Sequence, residues 1–207
     1  MRRLRGSLMA VPEDTSFARL VSLACHDLRT PLATAHGFAK TLVRLGGLEP
    51  PRDRYVEIMS EATTQLGDLI DLLSLAARIE SGRYEPDARE VGTAELASAA
   101  AQRVGSDRAR VSGAGAPVLV EPAAAEAALY GFANCALRHG ALDVVELALE
   151  GAEVAVTPIA PGAARIVVGE DLRDLGAAVA MRVVDALGGA IELEGAVLRV
   201  RLPQAAT

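Results

Sequence analysis

His26 and Asp27 are neighbours in the sequence, and Thr30 follows His26 after one helical turn. A neutral imidazole can attack phosphorus when its second ring nitrogen is held as N–H, and Asp27 can accept that proton. The same carboxylate would stabilise the imidazolium that develops during transfer, while the Thr30 hydroxyl can orient a water molecule for hydrolysis. We therefore predict that His26, Asp27 and Thr30 are the catalytic residues of a phosphoryl-carrying site.

An amphipathic helix has to position these residues. Apolar residues recur at steps of three and four, so they form one seam on a helix and leave His26 on the opposite side, facing water. Thr30 shares the exposed face because it lies four residues after His26. Pro31 lacks a backbone donor and predicts a bend just after the reactive turn. The seam comprises Leu20, Ala24, Leu28, Pro31, Ala35, Phe38, Leu42 and Leu45.

A second helix follows the first, because Gly46-Gly47 and Pro50-Pro51 end one helix and start another. Two helices cannot bury two apolar seams by themselves, whereas two paired hairpins form a four-helix bundle. We therefore expect residues 17 to about 80 to form a homodimer. The alternative is a self-contained bundle completed by later helices. The second seam comprises Tyr55, Ile58, Ala62, Leu66, Leu69, Leu73 and Ala76.

The segment His26-Asp27-Leu28-Arg29-Thr30-Pro31-Leu32 resembles the phosphoacceptor box of two-component histidine kinases, H-[ED]-L-R-T-P-L, and all seven positions fit. The resemblance implies that His26 accepts the phosphoryl group and that the partner is the receiver domain of a response regulator. It also implies that this receiver docks on the hairpin just below His26. We expect the docking residues to be Arg29, Ala33, Gly37 and Lys40.

Composition limits the class of protein. The chain has 207 residues, of which 51% are hydrophobic, and this length allows one or two domains. Its net charge of −6 argues against nucleic acid as a partner. No apolar run approaches the roughly 18 residues that a membrane span needs, and we interpret residues 1–16 as a flexible tail. Cys25 and Cys135 have no metal-ligand companions at useful spacing and suit a reducing cytoplasm, so we expect a cytoplasmic protein without a metal.

A second domain follows a hinge at Glu80–Asp87, which places the hairpin at residues 17–82 and the second domain at 83–207. Helices packed on one face of a mixed sheet would give an α+β fold. The predicted helices are Thr93–Val104 with Thr93 as N-cap, Pro122 to about Arg138, and about Arg173 to Leu187. The predicted strands are Arg108–Ser112, Val118–Val120, Val144–Leu149, Val154–Pro158, Arg165–Val168, Ile191–Glu194 and Val197–Leu202.

This order resembles the α/β sandwich that binds ATP in histidine kinases, but its nucleotide motifs differ. In the family, a helix of the form L-L-N-L-L-x-N-A-x-[RK]-[HY] carries two asparagines, and the second holds Mg²⁺ at the phosphates. Here Gly131 and Cys135 stand at the asparagine places. Asn134 is one residue out of register, about 100° around the helix, and a thiol is a poor ligand for Mg²⁺. A competing alignment that puts Asn134 in the ligand place breaks the match over residues 136–139.

Two further nucleotide motifs of the family are altered. The D-x-G-x-G element, whose aspartate recognises adenine, corresponds to Pro158–Gly162, which contains no aspartate. The G-x-G box reads Asp174-Leu175-Gly176, with a negative charge where phosphates would lie. Little sequence remains between these two elements to form a nucleotide lid. We therefore predict a domain that keeps the fold but binds neither ATP nor Mg²⁺, with a degenerate nucleotide site made of Gly131, Asn134, Cys135, Gly162, Asp174 and Gly176.

Three functions are compatible with these patterns. The favoured one is a histidine phosphotransfer protein that exchanges a phosphoryl group between His26 and receiver aspartates, in the manner of phosphotransfer proteins that resemble decayed kinases. The second is an ATP-dependent histidine kinase whose sensor is a separate protein. The third is a non-catalytic or phosphatase regulator that docks a receiver or a true histidine kinase through its hairpin.

Overall fold

The computed structural model of the protein describes residues 13–205. The chain divides into two compact units, Met1–Arg83 and Tyr84–Thr207. Of the predicted tail at residues 1–16, positions 1–12 lie outside the described residues, and a helix already begins at Glu13. Within the described part of the chain, no helix is long and apolar enough to cross a membrane.

The first unit is an antiparallel helical hairpin of α1 (Glu13–Leu45) and α2 (Arg52–Glu80). Gly46 and Gly47 follow α1 with φ angles of +62° and +73°, a left-handed conformation that glycine adopts without a steric penalty. Small residues line the inner face of the hairpin, so the two helices approach closely. The buried residues on this face are Ala18, Cys25 and Ala39 of α1 and Ile70 and Ala77 of α2.

The two predicted apolar seams lie outside this inner face. Leu28 and Phe38 of α1 are 54% and 69% exposed, and Leu66 of α2 is 50% exposed. The side chain of Leu20, at the start of the first seam, lies outside the described residues. Pairing within one hairpin therefore uses the small residues and leaves the large apolar side chains in solvent.

The second unit contains a five-stranded mixed sheet in the order β2-β4-β5-β7-β6 and a two-stranded antiparallel sheet of β1 and β3. In the larger sheet only β2 and β4 are parallel. The strands are β1 (Arg89–Gly92), β2 (Ala109–Gly115), β3 (Pro117–Val120), β4 (Val145–Gly151), β5 (Glu153–Thr157), β6 (Ala190–Glu194) and β7 (Val197–Arg201). The helices are α3 (Thr93–Val104), α4 (Pro122–Gly140), α5 (Pro161–Val167) and α6 (Leu175–Ala186).

The core of this unit lies between the larger sheet and the helices α3, α4 and α6, which contact it on one side. Alternate residues of β4, β5 and β7 are buried, as expected for strands with one covered face. The opposite face is polar, and Glu153 there accepts hydrogen bonds from Arg199 and Arg201. The buried strand residues are Val145, Leu147, Leu149, Val154, Val156, Leu198 and Val200.

Two local predictions are wrong, and one strand was missed. The expected strand Arg165–Val168 is helix α5, because Pro161 starts a helix and Ala163, Ile166 and Val167 fall on one buried helical face. Strand β1 was not predicted, since four residues paired only with β3 carry a weak sequence signal. Thr93 is not an N-cap: Gly92 holds that position, and the Thr93 hydroxyl donates to the Gly151 carbonyl oxygen at 2.8 Å instead.

Candidate functional site

His26 lies in the first half of α1 with its imidazole exposed to solvent, as the helical spacing predicts. The side chain is 79% exposed, and its Nδ1 lies 3.1 Å from Oδ1 of Asp27. Asp27 is itself an exposed carboxylate, so it accepts a hydrogen bond and Nδ1 carries the proton. In a neutral imidazole this tautomer leaves a lone pair on Nε2, which can attack an approaching phosphorus atom.

Thr30 is exposed one turn after His26. The Thr34 hydroxyl donates a hydrogen bond of 3.0 Å to the Thr30 carbonyl oxygen. The Thr34 hydroxyl is therefore engaged by the backbone of its own helix. The structure thus brings the three predicted catalytic residues to one exposed segment of α1. Pro31 lies inside the continuous helix immediately after them.

Of the four predicted docking residues, Ala33, Gly37 and Lys40 are exposed on α1. An added Cβ at Gly37 would have no heavy atom within 4 Å, so this part of the helix is open. Arg29 is engaged within the hairpin, since its guanidinium donates to Asp71 of α2 at 2.7 Å. Arg29 therefore ties α1 to α2 next to the reactive turn while half of its side chain stays exposed.

Two residues of the predicted degenerate nucleotide site, Gly131 and Gly176, lie where α4 packs against α6. A Cβ added to Gly131 would lie 2.8 Å from the Gly176 carbonyl oxygen. The same Cβ would lie 3.3 Å from the Ala180 Cβ. The two helices are therefore in backbone contact at this point, and no group fits between Gly131 and Gly176.

Asp174 occupies the N-terminus of α6. Its Oδ1 accepts a hydrogen bond of 3.0 Å from the Ala177 amide, which makes it the N-cap. Its Oδ2 lies 3.1 Å from Nε2 of His139 and 3.6 Å from Nη1 of Arg138. This carboxylate is buried, with 4% of its side chain exposed. The positive end of the helix dipole is thus compensated by the chain itself.

Cys135 lies beside Asp174 and is completely buried. Burial, followed by the nearby Asp174 charge, raises the pKa of the thiol to about 12. The group is therefore a neutral thiol at physiological pH in the absence of other ligands. Asn134, the neighbouring residue, is only half-buried.

Gly162 lies at the start of α5, close to the end of α4. A Cβ there would lie 2.9 Å from the His139 carbonyl oxygen, so this glycine permits close packing of α5 on α4. The structure thus places Gly162, a residue of the predicted degenerate nucleotide site, in the contact between α5 and α4.

Sequence reasoning missed the cluster of Cys135, His139 and Asp174. We predicted that Cys135 has no ligand companions, yet His139 lies four residues later on the same helix face and Asp174 reaches it from α6. The four-residue spacing of Cys135 and His139 indicates, from the sequence alone, that both lie on one helix face. The contribution of Asp174 depends on how α6 packs on α4 and has no local signature.

Residues 18–82 match the His Kinase A (phospho-acceptor) domain. No curated protein matches the sequence. Among solved structures, the chain is similar to full-length ShkA in complex with AMPPNP, with a TM-score of 0.65 and 23% identity, covering 92% of this chain and 47% of that one. The chain thus spans about half the length of that protein.

A second similar structure is the histidine kinase AdeS of Acinetobacter baumannii, with a TM-score of 0.52 and 15% identity. The match covers 87% of this chain and 98% of that one. At these identities the two likenesses establish the fold, a helical hairpin followed by a mixed α/β unit.

The contact between α4 and α6 can be tested by replacing Gly131 with alanine. The new methyl group would collide with the Gly176 carbonyl, so we expect Gly131→Ala to lower the free energy of unfolding of the second unit by about 1–3 kcal/mol. Denaturant titration followed by circular dichroism measures this change.

The matched control is Gly92→Ala, where an added Cβ meets nothing within 4 Å. This variant is expected to change the free energy of unfolding by less than about 1 kcal/mol. Full stability of Gly131→Ala would contradict the backbone contact between the two helices.

Proposed function

Because residues 18–82 match the His Kinase A (phospho-acceptor) domain and the chain is similar in fold to the histidine kinase AdeS, we propose that this protein carries a phosphoryl group on His26. The group is exchanged with aspartates of response-regulator receiver domains, and ATP takes no part. The observation that carries the proposal is an exposed imidazole whose Nδ1 is held by Asp27 while Nε2 is free.

In the forward step, Nε2 of His26 attacks the phosphorus of a receiver aspartyl phosphate. The P–N bond forms as the P–O bond to the aspartate breaks, and the carboxylate leaves as an anion. The imidazole becomes a phosphorylated imidazolium, whose positive charge is stabilised by Asp27 at 3.1 Å. The reverse step delivers the group to another receiver, which supplies its own aspartate and Mg²⁺.

Three features of the second unit support a function without ATP. The Asp174 carboxylate caps α6, so phosphate oxygens would meet a buried negative charge at that helix terminus. Gly131 and Gly176 bring α4 and α6 into backbone contact. Cys135 offers a buried sulfur where Mg²⁺ requires oxygen. The residues present therefore do not fit a magnesium nucleotide.

We further propose that the hairpin pairs with a second copy of itself. The exposed seams of α1 and α2 place large apolar side chains in solvent, and many such side chains exposed along one element are typical of an interaction site. Because both helices of one hairpin expose such a seam, two copies would bury all four in one bundle. The large exposed members are Leu28, Phe38, Leu42, Leu45, Tyr55, Ile58, Leu66, Leu69 and Leu73.

The free cysteines are in keeping with a cytoplasmic location, where receiver domains are available. Cys25 and Cys135 are both buried as thiols in different units. A reducing compartment preserves such thiols.

Replacing His26 tests the phosphoryl carrier. We expect His26→Gln to abolish transfer of ³²P from phosphorylated receiver domains, with an unchanged circular dichroism spectrum because the side chain is exposed. Labelling of the full chain by a panel of receivers from the host genome measures the transfer. The parallel reaction with γ-³²P-ATP and Mg²⁺ is expected to leave the wild-type chain unlabelled.

The matched control is His36→Gln, since His36 is half-buried and contacts the Thr63 hydroxyl at 2.9 Å. It should retain labelling by receivers. Labelling of His26 from ATP would instead establish an ATP-dependent kinase, and labelling that survives His26→Gln would refute the carrier role.

Thr30→Ala separates hydrolysis from transfer. Loss of the hydroxyl removes a group that can orient water, so we expect the phosphohistidine to persist at least about tenfold longer, with a smaller effect on transfer to a receiver. Decay of the ³²P label over time measures this effect. The control is Thr34→Ala, whose hydroxyl donates to the Thr30 carbonyl. Receiver dephosphorylation that needs Thr30 but not His26 would favour a phosphatase regulator.

A charge placed in the exposed seam tests self-association. We expect Leu66→Glu to shift sedimentation from the mass of two chains toward the mass of one, because the carboxylate would be desolvated in the bundle. The control, Leu172→Glu, changes a leucine that is 71% exposed in the second unit. A wild-type chain that sediments as a monomer would contradict the dimer.

A further inference from the structure

Three side chains with metal-binding chemistry meet between α4 and α6. The Cys135 sulfur, a ring nitrogen of His139 and a carboxylate oxygen of Asp174 all lie within 4.8 Å of one another. Cys135 and His139 occupy one face of α4 because four residues separate them, and Asp174 precedes α6. No other group of three such side chains occurs among the described residues.

The nitrogen and the oxygen of this group are spaced nearly as two ligands of a tetrahedral site would be. Zinc bonds of about 2.3 Å to sulfur and about 2.0–2.2 Å to nitrogen or oxygen place neighbouring ligand atoms roughly 3.3–3.6 Å apart. Nε2 of His139 already lies 3.1 Å from Oδ2 of Asp174. Adjustments of a few tenths of an ångström at this pair would therefore admit the ion.

From this geometry we propose that Cys135, His139 and Asp174 form a binding site for Zn²⁺. One sulfur, one imidazole nitrogen and one carboxylate oxygen suit a borderline-soft ion, whereas Mg²⁺ and Ca²⁺ require oxygen ligands. Three protein ligands leave a fourth position for water. The half-buried edge of His139, with 22% of its side chain exposed, gives that position access to solvent.

Charge and protons balance at this site. When the ion binds, the Cys135 thiol loses its proton to solvent and the Zn–S bond forms. His139 binds the metal through Nε2, and the proton that Nε2 donates to Asp174 in the metal-free chain is released to solvent while Nδ1 takes up a proton, so the imidazole is neutral in the complex. The thiolate and the Asp174 carboxylate then neutralise the two positive charges of Zn²⁺. Arg138, which is 66% exposed and 3.6 Å from Oδ2, can move its guanidinium away into solvent.

The N-cap of α6 remains in place during binding. Asp174 caps the helix with Oδ1, and the proposed metal ligand is Oδ2. The ion would thus join the end of α4 to the start of α6 at the point where the sequence alignment places the eroded nucleotide site. This proposal goes beyond the phosphotransfer function and does not depend on it.

Zinc titration of the full, reduced, untagged chain by calorimetry tests the site. We expect one equivalent to bind, and Cys135→Ala and His139→Gln to weaken binding by at least about 100-fold. Asp174→Asn is the most informative variant, because asparagine keeps the N-cap acceptor but removes the anionic ligand. It should weaken binding to a similar extent while retaining the native circular dichroism spectrum.

Cobalt substitution provides a spectroscopic readout. Co²⁺ in the wild-type chain should give visible d–d bands of a tetrahedral site and a thiolate-to-metal charge-transfer band, and Cys135→Ala should abolish the latter. The control variants are Cys25→Ala and His36→Gln, which change the other buried cysteine and the other half-buried histidine. Both should retain one equivalent of Zn²⁺.

The proposal fails if the wild-type chain takes up no stoichiometric zinc. It also fails if Cys135→Ala and Asp174→Asn bind zinc as tightly as wild type, since side chains outside this cluster would then be the ligands. Neither result bears on phosphoryl transfer at His26, which the receiver assay measures separately.

Discussion

The buried carboxylate of Asp174 is the constraint on which the organisation of the second unit depends. A charge with only 4% of its side chain exposed must be compensated, and the protein does so with the Ala177 amide on one oxygen and His139 and Arg138 on the other. These contacts fix the start of α6 beside the end of α4 and bring the backbones together at Gly131 and Gly176. A phosphate at the same helix terminus would have to displace an internal anion that is already neutralised.

The hairpin obeys a different constraint. Each of its two helices packs one face against the other helix, and a second face of each helix stays exposed. Small residues such as Cys25 and Ala39 take the inner face, so the large apolar residues remain outside. His26 belongs neither to the inner face nor to the exposed apolar seam. Its side chain is exposed and contacts Asp27. Chemistry at His26 is therefore separable from the stability of the hairpin.

The sequence was sufficient where the signal is local. The helix periodicity predicted the exposure of His26, and the turn residues predicted the ends of α1 and α2. The sequence was insufficient where packing between distant elements determines the secondary structure or the hydrogen-bond partner. The apolar run at Ile166–Val167 suits a strand or a helix equally well, and only packing against α4 and α6 selects α5. In the same way, the Thr93 hydroxyl is used by the distant Gly151 carbonyl rather than by its own helix.

Asp174 illustrates how a sequence difference becomes a structural property. The sequence has an acidic residue where the resembling motif of histidine kinases has glycine, and this predicts repulsion of phosphate. The structure adds that the carboxylate is an N-cap and that His139 and Cys135 lie within reach of its second oxygen. The proposed zinc site would therefore place sulfur and imidazole ligands where the family motif has oxygen ligands for Mg²⁺. Because metal preference follows ligand softness, the same fold position can change the ion that it favours without any change in backbone topology.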